Sequence, residues 1–455
     1  MPNLSATIDC RMGGAMRFVL DGILRRMIVA GRLELRWPDG TTSLYQGAPD
    51  PPKLSPPESS ALRAGFAITD ARAITRLVFN PSLGLGEAYM DGQIEPFDGG
   101  VYELLDLLVS NVEANLSAHP LMLLHAALER GLKRLAQFNP APRARRNIAH
   151  HYDLNGRLYS LFLDRDRQYS CAYFPTGAET LEEAQAAKKR HIAAKLRLER
   201  GGLSVLDIGC GWGGLALSLA RDYGAHVTGI TLSTEQLETA RARAEADGLS
   251  ERVRFELMDY RTLAGNFDRI VSVGMFEHVG VNHYRAFFDT VKRCLAPDGI
   301  ALLHSIGRAA GPGSTNPWLA KYIFPGGYSP ALSEVVPHIE RAGLWITDIE
   351  ILRLHYAETL RHWRRRFAAN RDAIAALYDE RFCRMFEFYL AGSELAFRRQ
   401  DHMNFQIQMT RARDAVPIVR DYMIEDERRL AASGTKARGL APGPHQGRSP
   451  WHPIR

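Results

Sequence analysis

Between residues 203 and 307 the chain alternates short apolar runs with stretches of helical periodicity. The runs are LSVLDIGC (203–210), HVTGITL (226–232), RVRFELMD (252–259), FDRIVSVGM (267–275) and GIALLHSIG (299–307). Their spacing of about 20–30 residues predicts βαβ units and a mostly parallel sheet, the α/β class. The N-terminal part reads differently. An amphipathic stretch at 16–30 precedes a short strand at 32–36 and the turn Trp37-Pro38-Asp39-Gly40. Five prolines within 49–57 exclude an internal strand there. Residues 71–79 suit a strand or a helix, GLGEAYMDGQIE (84–95) reads as a Gly-rich link and polar loop, and a helical run opens at 101–108 and extends towards Phe138.

These shifts divide the chain into an N-terminal α+β domain (1–138), a Pro- and Arg-containing linker (139–147), a catalytic α/β domain (148–431) and a basic, Gly/Pro-rich tail (432–455) expected to be disordered. Within the catalytic domain, about 310–400 is expected to be a helical insertion rich in Trp, Tyr, Phe and Arg.

Composition narrows the class. With 455 residues, 45% apolar and 24% charged, the chain is globular, which excludes a disordered, collagenous or disulfide-stapled protein. Cys10, Cys171, Cys210, Cys294 and Cys383 are scattered, and an odd set without C-x-x-C pairs predicts free thiols in a reducing, cytoplasmic setting. No apolar run is long enough to predict a transmembrane helix, and the first residues lack a secretion signal. The net charge of +6 leaves nucleic acid and an anionic membrane surface open as partners.

The sharpest chemical signal is Asp207-Ile-Gly-Cys-Gly-Trp-Gly-Gly214, which follows an apolar strand and opens a helix. A dinucleotide site requires G-x-G-x-x-G and a carboxylate at the end of the second strand. The second strand ends in GITLS, without an acid. The phrase D-x-G-C-G-x-G instead resembles motif I of class I S-adenosylmethionine-dependent methyltransferases, a Rossmann-like fold. That resemblance assigns Asp207, Gly209, Cys210, Gly211 and Gly213 to the cofactor. It adds Thr231, Leu232 and Gln236 after the second strand for the ribose, Asp259 and Tyr260 after the third for adenine, and Tyr169 and Ser170.

Four further phrases are more specific: His151-Tyr-Asp-Leu154, Gln168-Tyr-Ser-Cys-Ala-Tyr173, Gly274-Met-Phe-Glu-His-Val-Gly280 and Leu303-His-Ser-Ile-Gly307. With GLGEAYMDG they resemble the cyclopropane-fatty-acyl-phospholipid synthases and the related mycolic acid cyclopropane synthases, from about Gly84 to Met423. The resemblance implies methyl transfer to an alkene, a carbocation, and loss of a proton to bound bicarbonate. The residues implied to hold that ion are Cys171, Glu277, His304, Tyr356 and the backbone amide of Ile306; no metal is implied. Rings such as Tyr169, Tyr173 and Phe276 are candidates to stabilise the cation, and His278 is expected to orient its loop. Ser393 stands where some members carry a late-helix cysteine, which argues against a cysteine nucleophile there.

The implied substrate is an unsaturated acyl chain of a membrane phospholipid, met by a cytoplasmic protein that docks transiently on the inner face of the membrane. Candidate docking charges are Arg143/Arg145/Arg146 and the run Arg361 to Arg366. The N-terminal domain resembles the family's lipid-handling and dimerisation domain, so a homodimer is expected. GMFEHVG differs from the motif of base methyltransferases, so nucleic acid is not expected as a partner. The alternatives are a same-family enzyme that yields a methyl-branched or methylene product, and a small-molecule N-methyltransferase.

Overall fold

The computed structural model describes residues 4–47, 62–115 and 156–432. The proline-rich 49–57 segment, the 139–147 linker with its arginines, His151–Leu154 and the tail beyond 432 lie outside the described residues. The described residues form two compact units. One draws on Met1–Gly131, Ser314–Ile323 and Leu360–Asp401, the other on Leu132–Gly313, Phe324–Thr359 and His402–Arg455. The helical region expected inside the catalytic domain thus contributes Ser314–Ile323 and nearly all of Leu360–Asp401 to the N-terminal unit.

In that first unit, β1 (Arg32–Arg36), β2 (Thr42–Gln46), β3 (Arg63–Ile68) and β4 (Ile94–Asp98) make a sheet of order β2-β1-β3-β4. The expected turn joins β1 to β2, with the Gly40 N–H donating to the Trp37 carbonyl at 2.9 Å. Leu33 and Leu35 of β1 are fully buried between more exposed neighbours, the period of a half-covered strand. They pack with Leu20 and Leu24, four apart on the helix Leu4–Met27, and with Ile28 just beyond its end.

The GLGEAYM segment is not a loop. It lies in the helix Pro81–Met90, started by a proline in the first turn and by the Asn80 side chain, which accepts from the Leu83 N–H at 3.3 Å. Its glycines permit close approach rather than a turn: a Cβ on Gly86 would lie 2.4 Å from Trp318 Nε1. Gly86→Ala gains about 1 kcal/mol of helix propensity but overpacks against a rigid indole, at a cost of about 1–3 kcal/mol. Net destabilisation is therefore expected, read as a lower urea midpoint; an increase would show that the indole yields freely.

The helix Glu380–Arg398 joins this unit through Ala391 and Leu395 against Leu105. Tyr89 donates to Glu387 at 3.0 Å, and Arg399 pairs with Asp106 at 2.8 Å.

The second unit is built on β5 (Ser204–Ile208), β6 (His226–Thr231), β7 (Val253–Leu257), β8 (Phe267–Val273), β9 (Leu295–Arg308), β10 (Trp345–Ile351) and β11 (His402–Thr410). Their order is β10-β11-β9-β8-β5-β6-β7. The five expected strands, β5 to β9, are parallel to one another, whereas β11 runs antiparallel to β9 and β10. From β5 the chain winds outward through β6 and β7, then returns to β8 on the other side. That switch point between β5 and β8 opens a crevice at the strands' C-terminal ends.

Neither β10 nor β11 was expected. In β11 the polar Asn404, Gln406, Gln408 and Thr410 alternate with Met403, Phe405, Ile407 and Met409, yet every one of the eight is buried. No helix among the described residues is long and apolar enough to cross a membrane.

Candidate active site

The crevice is lined by Tyr169, Ser170, Asp207, Gly209, Cys210, Gly211, Thr231, Leu232, Gln236, Asp259 and Tyr260, eleven of the twelve cofactor candidates. The twelfth, Gly213, lies under the turn, where a Cβ would meet the Phe255 ring at 2.6 Å. Gly209 has φ +85°, and a Cβ there would sit 2.7 Å from Met275 Cβ, so only glycine turns the chain here.

Two carboxylates face the crevice in different states. Asp207 is buried, and its Oδ2 has no hydrogen-bond partner among the described residues. Burial pushes its pKa up to about 7, opposed by the Lys188 ammonium. Asp259 follows β7, accepts from the Arg261 N–H and pairs with the Arg261 guanidinium at 2.7 Å. On the β6 side, Thr231 Oγ1 donates to Gln236 Oε1 at 2.9 Å, which leaves the Gln236 amide NH₂ as the donor end. Tyr169 packs edge-on against Tyr159, which in turn lies 4.8 Å from Trp212.

The candidate base site forms beside the ends of β8 and β9. Glu277 follows β8 in the short 3-10 turn Phe276–His278. Its Oε1 accepts the Ile306 N–H at 2.7 Å, while its buried Oε2 has no partner among the described residues. The Ile306 amide therefore positions the carboxyl group in this structure. Burial pushes the Glu277 pKa up to about 7, opposed by the Ile306 N–H.

His304 is 1% exposed on β9, and burial depresses its pKa to about 3, so the ring is neutral. Asn404 and Gln406 of β11 hold it at 3.4 and 3.1 Å. Cys171 is buried, which raises its thiol pKa well above the ordinary value and keeps it protonated. The next residue, Ala172, donates its N–H to Thr359 Oγ1 at 3.0 Å, and Thr359 lies one turn after Tyr356 on the helix His355–Ala369.

Some expectations do not survive the geometry. Phe276 is fully buried in the core, stacked on Tyr284 at 4.3 Å and edge-on to Phe287 at 5.1 Å, so its face is not open to a substrate. Tyr173 stacks on both His191 (4.2 Å) and His355 (4.8 Å), so its ring is engaged by imidazoles. Of these three rings only Tyr169 lines the crevice. The Arg361 to Arg366 run is not an open basic-aromatic patch: Trp363 is fully buried, and Arg364 pairs with buried Glu394 at 3.0 Å and covers the Tyr102 ring. Its Arg365 is exposed.

Three polar features were not singled out from the sequence. Lys188 is buried and donates to Gln168 Oε1 (2.6 Å) and Ser170 Oγ (2.8 Å), and burial lowers its pKa to about 8. The others are Thr359 and the Asn404/Gln406 pair. A lysine among the alanines of EAQAAKKRHIAAK and a polar row in a strand were the available signals.

An open parallel sheet with an antiparallel strand let in near one edge, a glycine turn after its first strand and a crevice at the switch point define a class I S-adenosylmethionine-dependent methyltransferase. A family model described as mycolic acid cyclopropane synthetase matches residues 140–407. The chain is 41% identical over 371 residues to the cyclopropane-fatty-acyl-phospholipid synthase of Escherichia coli strain K12, covering 77% of this chain and 91% of that one. It is 37% identical over 413 residues to the tuberculostearic acid methyltransferase UfaA1 of Mycobacterium tuberculosis, covering 85% and 90%. The solved structure of mycolic acid cyclopropane synthase CmaA1 complexed with SAH and CTAB is 33% identical, with a TM-score of 0.56 over 60% of this chain and 99% of that one. The chain belongs to the cyclopropane synthase family.

Proposed function

We propose that this enzyme adds the methyl carbon of S-adenosylmethionine, as a methylene, across the cis double bond of an unsaturated acyl chain in a membrane phospholipid. The product is a cyclopropane ring, and one proton is released. The observation that carries the reading is Glu277, with one oxygen fixed by the Ile306 N–H and the other buried without a partner among the described residues. An isolated alkene does not need a strong side-chain base to start reacting, but ring closure needs somewhere for a proton to go.

When bound, S-adenosylmethionine supplies an electrophilic methyl group and bicarbonate supplies the base. The residues fit both. The orphaned Asp207 Oδ2 in the crevice suits a cationic ligand, with Gln236 and Asp259 at the ribose and adenine ends. Glu277, balanced near neutrality by its raised pKa, can donate a proton to an anion or accept one from it. Neutral His304 and the Tyr356 phenol are its proposed donors, and the protonated Cys171 thiol its wall. The same reading has the protein visit the cytoplasmic face of the membrane as a homodimer.

Vesicles of mono-unsaturated phospholipid incubated with the protein and S-adenosylmethionine are expected to gain one methylene per modified chain by mass spectrometry. NMR of that lipid is expected to lose vinyl signals and gain ring protons. The similarity to a tuberculostearic acid methyltransferase favours a second reading, a methyl-branched product, which the same spectra would reveal. Unchanged lipid with methylation of a soluble amine would reject both.

A further inference from the structure

The buried polar row on β11 is costly unless it is used, because buried amides without partners lose their hydration. Two of its members converge on one ring. In the antiparallel register Gln406 stands directly opposite His304, and Asn404 opposite Ile306, whose N–H holds Glu277. Gln406 Nε2 lies 3.1 Å from His304 Nδ1, and Asn404 Nδ2 lies 3.4 Å from Nε2. The carbonyl oxygens of both amides, Gln406 Oε1 and Asn404 Oδ1, are buried without partners among the described residues.

A neutral imidazole has one N–H and one lone pair, so it cannot accept from two NH₂ groups at once. The closer amide, Gln406, takes the lone pair at Nδ1. The ring proton then sits on Nε2, and Asn404 satisfies it by turning its Oδ1 inward or yields that proton to a bound anion.

We infer that Gln406 is a positioning residue that fixes His304 in its Nε2–H tautomer, so the ring donates from the nitrogen on the Asn404–Ile306 side. This deepens, and rests on, the reading in which His304 donates to an anion beside Glu277. Burial, and then the charges of Lys188, Lys195 and His191 opposed by Glu350, keep His304 neutral. A neutral donor leaves a bound base its proton affinity; an imidazolium would reduce it.

The test uses full-length protein labelled with ¹⁵N-histidine, the His304 signals being those absent from His304→Gln. Wild type is expected to show the Nε2–H tautomer throughout the neutral pH range. Gln406→Glu puts an acceptor against Nδ1 and is expected to move the proton there, or to protonate the ring fully. Its turnover on unsaturated phospholipid vesicles should fall about 10–100-fold, by analogy with the loss when the partner that orients a metal-bound histidine is altered. Its pH profile should gain a limb that declines as pH rises, because the Nε2 proton is then lost, while S-adenosylmethionine affinity holds. Gln406→Met should also lower turnover but add no such limb, which separates tautomer control from packing.

An Nδ1–H tautomer in wild type, or an unchanged spectrum in a folded Gln406→Glu, overturns the inference. Should Gln406→Glu not fold, the wild-type tautomer alone decides. The expected spectra with no lipid modified by wild type would keep the tautomer assignment and reject the proposed reaction.

Discussion

Glu277→Gln is expected to lower turnover by about 10²–10⁴-fold, the usual contribution of an acid–base group, while S-adenosylmethionine affinity stays nearly unchanged. The amide can still accept the Ile306 N–H through its oxygen, so the 2.7 Å hydrogen bond and the local fold survive. What disappears is the ability to gain or lose a proton at Oε2. Single-turnover rates and calorimetric cofactor binding separate the two effects, and lost cofactor affinity would show that Glu277 has been given the wrong role.

The same substitution should stabilise the fold at alkaline pH. Folding raises the Glu277 pKa from 4.5 to about 7, so the folded state binds the proton more tightly. Wild-type stability therefore declines as pH climbs through that window, by up to roughly 3 kcal/mol. Glu277→Gln removes this slope, which denaturant midpoints compared between about pH 4.5 and pH 7 would reveal.

Asp207→Asn is expected to produce the opposite kinetic pattern. Charge-assisted hydrogen bonds contribute about 1.5–3 kcal/mol, so cofactor affinity should weaken about 10–100-fold with turnover at saturation little changed. Because Asp207 has its pKa pushed up to about 7, a cationic cofactor binds best once the carboxyl ionises. Wild-type affinity should tighten as pH rises through 7, and Asp207→Asn should lose that dependence. Equal affinities for the two proteins in titration calorimetry would remove Asp207 from the cofactor site.

The legible parts of this molecule are those where local sequence and tertiary context agree. Asp207 to Gly214 demands a tight turn after a strand, and the structure makes one with Gly209 at positive φ. The runs that became β5 and β6 are buried along nearly their whole length because both faces of a parallel sheet are covered, whereas the edge strand β7 alternates buried and exposed residues.

The reading failed where a residue's environment is supplied from far along the chain. GLGEAYM looks like a loop until Trp318 arrives to fill the space over Gly86. Phe276 sits one residue from Glu277, yet faces the core, because the 3-10 turn sends neighbouring side chains in different directions. Asn404 and Gln406 alternate with apolar residues as if one face of β11 met water, and only the pairing with β9 turns that polar face onto His304.

The first unit closes its core with residues that the ribosome delivers late. Leu105 waits for Ala391 and Leu395, and Asp106 for Arg399. At ordinary synthesis rates about 15–50 s separate residue 131 from residue 401. Throughout that interval the N-terminal sheet and its helices lack their last partner, and the strands β5 to β10 of the methyltransferase sheet are synthesised within it. Until the helix Glu380–Arg398 emerges, Leu105 has only its early neighbours Leu85, Val101 and Tyr102 to pack against.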